Sequence, residues 1–517
     1  MIKKSLLCFC FTALISPISV SALEISVPWV GPLQQKSANG LPALERPVHY
    51  PGARVLVSSQ KLQQLSGMGT ATQPGTLLSA RLLAALSGAG NAVLPDGSSL
   101  GDYLSGWAQA DIPDVTLYKV VYKSKNPAGG VTRLSGLVVI PDSVISGADP
   151  SGILVYDHAT TTQRNNAPSE RPQEAYAMIT AFAHPSIVIA MPDYLGYGVN
   201  KANHPYSMGE LNAPSGRDMI LATRELMKKL GRSVGSNLLI TGYSEGGGNA
   251  LWLTRYLESL NDGSLTPTLS SPMSGPYDLS GATALSFVGA QPPLTYQENF
   301  QSKPTLLSFA GVSTAKIIRQ PLESLLLDPL AQQAKGNFTS DLSEGTLGVR
   351  LLTTSINDLG YVNYGTLTPN PENLLQPSLV TAIKTHDLQN PAMALWSEND
   401  NVNWTPASKV LLLGIVEDEL VPYAASSYVL PLAWKPLNAA QAPYSSGNAQ
   451  NVVAAMRKKG LGSDRVAWTG FLGATKSLTN PVVMSHADGI LPCSILAYIS
   501  FFNGKTKIPM LNDPPLQ

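Results

Sequence analysis

A serine stands at the centre of the strongest chemical motif in the sequence. Residues Gly242–Gly246 read Gly-Tyr-Ser-Glu-Gly, the G-x-S-x-G pattern of a nucleophile elbow. The apolar run Leu238–Thr241 before it predicts a strand, and Gly246–Leu253 after it predicts the start of a helix. Such a turn strains the serine and exposes its hydroxyl, and the helix N-terminus favours negative charge beside it. We therefore predict that Ser244 is a nucleophile; an ordinary glycine-rich turn is the alternative.

A serine hydroxyl needs a base to take its proton, and the base needs an acid to orient it. Two of the six histidines follow Ser244 in the sequence, His386 and His486. His486 lies in a loop ahead of the last predicted helix, so it is the predicted general base and acid. A surface histidine beside Asp488 is the alternative. His386 precedes the candidate acid loop and does not fit the chain order serine, acid, histidine.

Three adjacent carboxylates follow the late apolar run Leu411–Val416, where the orienting acid is expected. We predict Asp418 as this acid and keep Glu417 as the second choice. The acids without this role, Glu419 among them, are expected to be solvated loop carboxylates.

Two backbone N–H groups should stabilise the oxyanion that forms on the substrate. The first is that of Glu245, directly after the nucleophile. The second should come from the loop after an early strand, and Tyr156–Thr160 follows the apolar run Ile153–Val155. We predict the N–H of Thr160 as this donor and expect His158 to be structural, with an ordinary β-to-α connection as the alternative. Each such donor typically contributes about 2.7–4 kcal/mol to the transition state.

Alternating strands and helices are needed to bring these distant residues to one edge of a sheet. The sequence shows this alternation from residue 116 to about residue 260, which predicts a mostly parallel sheet with right-handed crossovers. The predicted strands are 117–122 and 132–140 (a hairpin), 153–156, 187–190, 238–241, 410–413 and 466–470; the predicted helices are 171–182, 215–229, 246–260, 449–459 and 491–502.

The alternation stops between about residues 283 and 405. Leu- and Ala-rich, helix-like pieces such as Pro321–Ala334 occupy this block. We therefore predict a mainly helical insertion above the carboxyl ends of the strands, where open α/β sheets bind ligands. The predicted organisation is a signal peptide (1–22), an N-terminal extension (23–115), the first part of an α/β core (116–282), a cap insertion (283–405) and the second part of the core (406–517).

The bulk composition predicts a folded protein. Of 517 residues, 44% are hydrophobic and 14% charged, which suits a large core and argues against disorder. The formal net charge of zero lacks the basic surplus of a nucleic-acid-binding protein.

The N-terminus predicts export. Lys3 and Lys4 precede the mostly apolar run Ser5–Val20, and small residues allow cleavage after Ala22. A membrane anchor is the alternative, but the run is short for one and contains a proline. We predict a periplasmic or secreted protein without an internal disulfide, since Cys493 alone would remain after cleavage, and without a later membrane span.

With these motifs in place, the chain resembles the secretory lipase group of α/β-hydrolases, the fungal lipase A type and its bacterial relatives. The resemblance implies an α/β-hydrolase fold with a helical cap, lipase or carboxylesterase activity, and a triad of Ser244, Asp418 and His486. The chain departs from the family pattern at Ala159, where a glycine is usual, and at Glu245, where glutamine is usual. One extra residue after Gly414 keeps Glu417 as the second choice for the acid. The similar segments are Pro74–Leu78, Tyr122–Ser124, Leu134–Pro141, Pro192–Gly198, Gly242–Gly247, Gly275–Asp278 and Asp418–Tyr423.

The predicted activity is ester hydrolysis through an acyl-enzyme, with no metal or organic cofactor. The expected substrate is a small-molecule or lipid ester, transient contact with a membrane or lipid interface fits the apolar insertion, and no nucleic acid is involved. A serine peptidase or amidase with the same triad and a catalytically inactive binding protein are the alternatives. The Asn- and Asp-rich stretch Ser397–Asn403 lacks ordered ligand spacing, so no metal site is predicted there.

Overall fold

A computed structural model gives the arrangement of most of the chain. The predicted signal peptide 1–22, most of the predicted extension 23–115 and the second-choice acid Glu417 lie outside the described residues. The residues described are 55–57, 92–108, 112–161, 164–288, 302–328, 331, 371–416, 418–425, 445–473, 484, 486–503 and 507–514.

A mixed β-sheet forms the centre of the molecule. Its described strands follow the order β1-β3-β4-β6-β5-β7-β8-β9-β10-β2. The strands from β6 to β10 in this order run parallel, while β1, β3 and β4 pair antiparallel at one side and β2 pairs antiparallel at the other. The predicted α/β class with a mostly parallel sheet is confirmed. The strands are β1 Val55–Val57, β2 Ala92–Val93, β3 Val115–Lys125, β4 Val131–Pro141, β5 Gly152–Asp157, β6 Ile187–Pro192, β7 Asn237–Tyr243, β8 Leu269–Met273, β9 Lys409–Ile415 and β10 Val466–Gly473.

Helices cover both faces of this sheet, which explains why the central strands are apolar at successive positions. The α-helices of the described residues are α1 Leu100–Ala108, α2 Asp142–Ile145, α3 Gln173–Phe182, α4 Gly209–Lys229, α5 Glu245–Ser259, α6 Ser302–Ile318, α7 Pro377–Thr385, α8 Pro391–Glu398, α9 Asn448–Lys458 and α10 Ile490–Phe502. Side chains of α4 and α5 share one apolar cluster with Ile153 and Val155 of β5. Side chains of α3 and α10 share another with Leu154 and Tyr156 of the same strand. No helix among the described residues is both long and apolar enough to cross a bilayer.

The block predicted as an insertion is helical where it is described and has its own apolar cluster. Helices α6, α7 and α8 contribute to this cluster, together with residues 322–326. The predicted helix-like piece Pro321–Ala334 is wrong over residues 321–328, whereas Ala331 is helical. A 3-10 turn, Leu322–Ser324, stands there and is followed by a β-bridge at Leu326. Asp328 precedes a proline, and this disfavours helical backbone.

Candidate active site

Ser244 occupies the tight turn between β7 and α5. Its backbone has φ 57° and ψ −123°, a conformation that residues other than glycine seldom adopt. Neighbouring main chain holds it there: the Ser244 N–H donates to the Met273 carbonyl at 3.0 Å, and the Gly247 N–H donates to the Ser244 carbonyl at 2.8 Å. The strained turn that the motif predicts is therefore present.

Glycine is required at this turn because neighbouring backbone comes very close. A Cβ on Gly246 would lie 2.0 Å from the carbonyl oxygen of Asp157, at the end of β5. A Cβ on Gly242 would lie 2.3 Å from the Gly246 carbonyl oxygen. The loop after β5, where the second oxyanion donor is predicted, is thus packed directly against the turn that carries Ser244.

The predicted base and acid meet although 68 positions separate them in the chain. His486 begins a short 3-10 turn, His486–Gly489, immediately before α10. Its Nδ1–H donates to Oδ2 of Asp418 at 2.6 Å, and both side chains are fully buried. The other oxygen of Asp418 accepts the N–H groups of Leu420 and Val421 at 3.0 and 2.8 Å. These bonds fix the carboxylate, which in turn fixes the imidazole.

Tyr243 links this pair to the nucleophile turn. It directly precedes Ser244, and its hydroxyl donates to the carbonyl oxygen of His486. The two rings lie side by side, with centroids 5.1 Å apart. Burial raises the pKa of Tyr243, so its hydroxyl keeps the proton that it donates. The last residue of β7 therefore ties the histidine turn to the strand end that presents Ser244.

The two predicted oxyanion donors lie at the start of α5 and in the loop after β5. Glu245 is the first residue of α5, so its N–H is one of the N-terminal donors that a helix leaves without an intrahelical partner. Thr160 lies in the loop after β5, with its hydroxyl 3.1 Å from that of Tyr206. The assignment of its N–H to the oxyanion stays a prediction. His158 of the same loop bonds backbone, with Nδ1 2.7 Å from the Ala159 carbonyl, as expected of a structural residue.

Solved structures share the overall fold of this chain. A Legionella pneumophila protein, provisionally described as a hydrolase, matches with a TM-score of 0.60 at 20% identity, over 89% of this chain and 100% of that one. The rice cell wall degrading esterase LipA of Xanthomonas oryzae matches with a TM-score of 0.59 at 19% identity, over 90% and 100%. The chain has the α/β-hydrolase fold. No protein-family model matches the sequence, and no curated protein matches it either.

A third similarity is weaker. Lipase A of Candida antarctica in its closed state matches with a TM-score of 0.47 at 14% identity, over 77% of this chain and 80% of that one. The predicted α/β-hydrolase fold is confirmed by the two stronger matches.

Glu419 has a place in this fold that sequence reasoning did not find. The sequence predicts a solvated loop carboxylate here, and this prediction is wrong because Glu419 is only 1% exposed. Its carboxylate accepts the His486 N–H, with Oε2 at 2.9 Å and Oε1 at 3.2 Å. Burial and the neighbouring Asp418 raise the pKa of Glu419. Adjacent acids thus hold one histidine, Asp418 by its ring and Glu419 by its main chain.

A lysine of the insertion also reaches the acid loop. Lys303, near the start of α6, is fully buried, and its Nζ donates to the Ser286 carbonyl at 3.0 Å. The same Nζ lies 5.7 Å from the centroid of the Phe287 ring. Burial lowers the pKa of Lys303 to about 7, while the carboxylates of Glu419 and Asp418 act in the opposite direction. A buried amine thus interacts electrostatically with both acids, an association that the sequence does not predict.

A cavity opens at Ser244 and extends beneath the insertion. Polar lining groups come from Ser207, Ser244, Glu245 and Thr283. The remaining lining is apolar. Residues of the insertion provide most of it, namely Ala284, Phe287, Leu306, Leu307, Ala310, Gly311, Leu325, Leu326, Leu375, Leu379 and Trp396. Residues outside the insertion provide the rest, namely Tyr206, Met208, Pro276, Leu279, Leu420 and Val421. A substrate whose reacting group meets Ser244 would thus place its adjoining part among alkyl and aromatic side chains.

No group of three or more potential metal-ligating side chains comes together within the described part of the chain. In the stretch Ser397–Asn403, Asp400 accepts the backbone N–H and the hydroxyl of Ser280 at 2.9 and 2.5 Å. Burial raises the pKa of Asp400 to about 7. These bonds attach the segment after α8 to the π-helical turn Leu279–Thr283.

Proposed function

We propose that this protein is an exported serine carboxylesterase or lipase that hydrolyses carboxylic esters with Ser244, Asp418 and His486. The observation that carries the proposal is the bond of 2.6 Å between His486 and Asp418, tied by Tyr243 to the turn of Ser244. A hydroxyl on a strained turn, an imidazole and a buried acid are the parts needed for acyl transfer.

The proposed reaction has two half-reactions. Ser244 Oγ attacks the ester carbonyl while its proton passes to Nε2 of His486, and the C–O bond to the alcohol then breaks as that proton passes to the leaving oxygen. Water next attacks the acyl-enzyme, gives its proton to His486 and releases the acid, and Ser244 recovers its proton. Asp418 stabilises the imidazolium in both halves. The N–H groups of Glu245 and Thr160 are proposed to bind the oxyanion.

The cavity supports an apolar acyl group as the part of the substrate that lies beneath the insertion. Its alkyl and aromatic lining gains free energy by burying such a group, roughly 0.8 kcal/mol per CH₂. A series of p-nitrophenyl esters from acetate to palmitate tests this: kcat/KM should rise beyond the acetate ester. Peptide anilides belong in the same panel, and faster cleavage of these would establish the peptidase alternative.

A fluorophosphonate probe tests the nucleophile itself. Purified protein should be labelled at Ser244, as located by mass spectrometry, and Ser244→Ala should be neither labelled nor active. The chain offers a matched pair of histidine variants. His486→Asn should lose at least about 10³-fold in kcat, the scale on which triad members act. His386→Asn should retain activity, since His386 caps α7 with φ 51°, a conformation that asparagine tolerates. A folded wild-type protein that resists the probe would instead be the inactive binding protein.

Export is proposed on the basis of residues 1–22. Expression of the full chain in a bacterial host, followed by N-terminal sequencing of the periplasmic or secreted material, should give a mature chain that starts at Leu23. Full-length protein retained in the membrane fraction would indicate an anchor.

A further inference from the structure

A second acid–histidine pair lies directly behind the nucleophile. The side chain of Glu245, the residue after Ser244, is completely buried. Its Oε1 lies 2.5 Å from Nε2 of His204, and it also accepts the Ser207 N–H at 3.1 Å. The side chain of His204 is 2% exposed. This pair is distinct from that of Asp418 and His486, and the proposed acyl transfer does not use it.

The contacts of His204 determine how many protons the pair holds. Nδ1 of His204 lies 2.9 Å from the carbonyl oxygen of Leu195, which can only accept, so Nδ1 carries a proton. Nε2 faces a carboxyl oxygen at hydrogen-bond distance, and one of these two atoms must therefore carry a further proton. The pair is either imidazolium with carboxylate or imidazole with carboxylic acid. Its net charge is zero in both states.

A neutral pair matters because of where Glu245 stands. Its N–H is the first proposed oxyanion donor, so an uncompensated carboxylate on the same residue would repel the negative charge that develops on the substrate. In a buried setting this repulsion is not screened as it is in water. The proton shared with His204 removes it.

We propose that His204 is a positioning residue of the oxyanion site. His204 keeps Glu245 neutralised through one shared proton, and it fixes the chain from Pro205 to Ser207 at the edge of the cavity. The proposal rests on the proposed ester hydrolysis, since it concerns the oxyanion of that reaction. It goes beyond the triad because it assigns a role to a histidine that precedes Ser244 in the sequence.

The surroundings of the pair contain few other ionisable groups. Tyr194, Tyr197 and Tyr206 lie around His204, with ring centroids 5.8, 4.7 and 6.3 Å from it. Burial raises the pKa of all three, so they stay neutral over the working pH range. His158 also packs on this cluster, with its ring centroid 4.1 Å from that of Tyr194 and 5.7 Å from that of Tyr197. Asp157 acts on Tyr194 and Arg164 on Tyr197, and burial raises the pKa of Asp157.

Three variants separate a charge effect from loss of structure. His204→Leu removes the imidazole that shares the proton, so no neighbouring group compensates the carboxylate of Glu245. The oxyanion then forms beside an uncompensated negative charge, and kcat at pH 8 should fall by about 10- to 100-fold. Glu245→Gln removes the carboxylate, so the loss of kcat that His204→Leu causes should become much smaller when His204→Leu is made in the Glu245→Gln background.

The double variant His204→Leu/Glu245→Gln is decisive. With no carboxylate left to ionise, its kcat at pH 8 should recover at least about tenfold over His204→Leu. His184→Leu is the matched control. His184 is half-buried, stacks on Phe502 at the surface of α10, and should leave the pH profile unchanged. Thermal unfolding of each variant establishes that it is folded.

Two failures remain distinguishable. If the fluorophosphonate does not label wild-type Ser244, the proposed function itself is wrong. If the wild type is labelled and hydrolyses esters, two results would overturn the inference alone: folded His204→Leu with the wild-type kcat at pH 8, or a loss of activity in His204→Leu that Glu245→Gln does not restore.

Discussion

Gly246→Ala tests whether close contact between the nucleophile turn and the loop after β5 sets the rate. The new Cβ would lie 2.0 Å from the Asp157 carbonyl oxygen and 2.6 Å from that of His158. Real Cβ contacts stay beyond 3.0 Å, so one of the two backbones must move by about 1 Å. Neither neighbour is a flexible side chain, and this movement cannot be absorbed by a change of rotamer.

A movement of this size has a calculable effect. The loop carries Thr160, the proposed second oxyanion donor, and a misplacement of about 1 Å typically lowers rates by about 10²-fold. We therefore expect kcat/KM for a p-nitrophenyl ester to fall by about 100-fold, mainly through kcat. Overpacking should also lower the free energy of unfolding by about 1–3 kcal/mol, partly offset by the better helix propensity of alanine.

Two glycines give matched controls. A Cβ on Gly248, two residues along α5, would meet side-chain atoms of Pro276 at 3.1 and 3.2 Å and its carbonyl oxygen at 3.4 Å, so Gly248→Ala should have a small effect. A Cβ on Gly263 would meet nothing within 4 Å, so Gly263→Ala should have none. Steady-state kinetics and urea unfolding of the three variants should rank them in this order. Gly246→Ala with activity within threefold of the wild type would refute the reasoning.

Three further predictions concern the acid loop and the cavity. Glu419→Leu leaves the buried His486 N–H without its carboxylate acceptor, so the free energy of unfolding should fall by about 1–3 kcal/mol and kcat should fall with it. Glu419→Gln keeps an acceptor, so urea unfolding and steady-state kinetics should show smaller losses of stability and of kcat. The pKa of Lys303 is lowered to about 7, so between pH 7 and 10.5 the unfolded chain holds a proton that the folded protein releases. Across this window the free energy of unfolding of the wild type, measured by urea titration, should rise with pH relative to that of Lys303→Met, by at most about 1.4 kcal/mol per pH unit. Lys316→Met, on the same helix, should not remove that rise. Ala310→Trp places a large ring in the cavity, so kcat/KM should fall at least about tenfold for a palmitate ester and change little for an acetate ester; equal losses for both esters would contradict the proposed acyl position.

The sequence predicts the elements around Ser244 well because local pattern and tertiary packing agree there. Strand β7 is an apolar run that ends in glycine, and the glycines after it are needed for close backbone contact. The hairpin of β3 and β4 and the last helix follow the same logic. In each case the local residue pattern that predicts the element is also the pattern that its packing requires.

Strand β8 was missed because its residues do not resemble a buried strand. Leu269–Met273 reads Leu-Ser-Ser-Pro-Met, with two serines and a proline. Its serines are buried among hydroxyls of other elements: Ser270 Oγ lies 2.6 Å from Thr254 Oγ1, and Ser271 Oγ lies 3.1 Å from Ser500 Oγ. These partners come from α5 and α10. Polar residues here satisfy one another across the fold, which a pattern of neighbours along the chain does not reveal.

The start of α4 was placed six residues too late for a related reason. Gly209 and Pro214 suggest a loop, yet the helix begins at Gly209. A Cβ on Gly209 would lie 2.3 Å from the ring of Trp252, and one on Gly216 would lie 2.7 Å from Leu253. Small residues let α4 approach α5 closely, so helix packing outweighs low helix propensity. The sequence signal for this contact is indistinguishable from that of a turn.

The largest gap between sequence and structure concerns buried charge. Motif order identifies Asp418 and His486 as candidates because chemistry constrains their spacing, but Glu419, Lys303 and His204 lack any such constraint. Their roles depend on partners dozens of positions away, and each would be expected at the surface from its type alone. Burying them without partners would cost several kcal/mol each. In a chain with few charged residues, burial of these groups is consistent with a role at the proposed active site beyond that of the proposed triad.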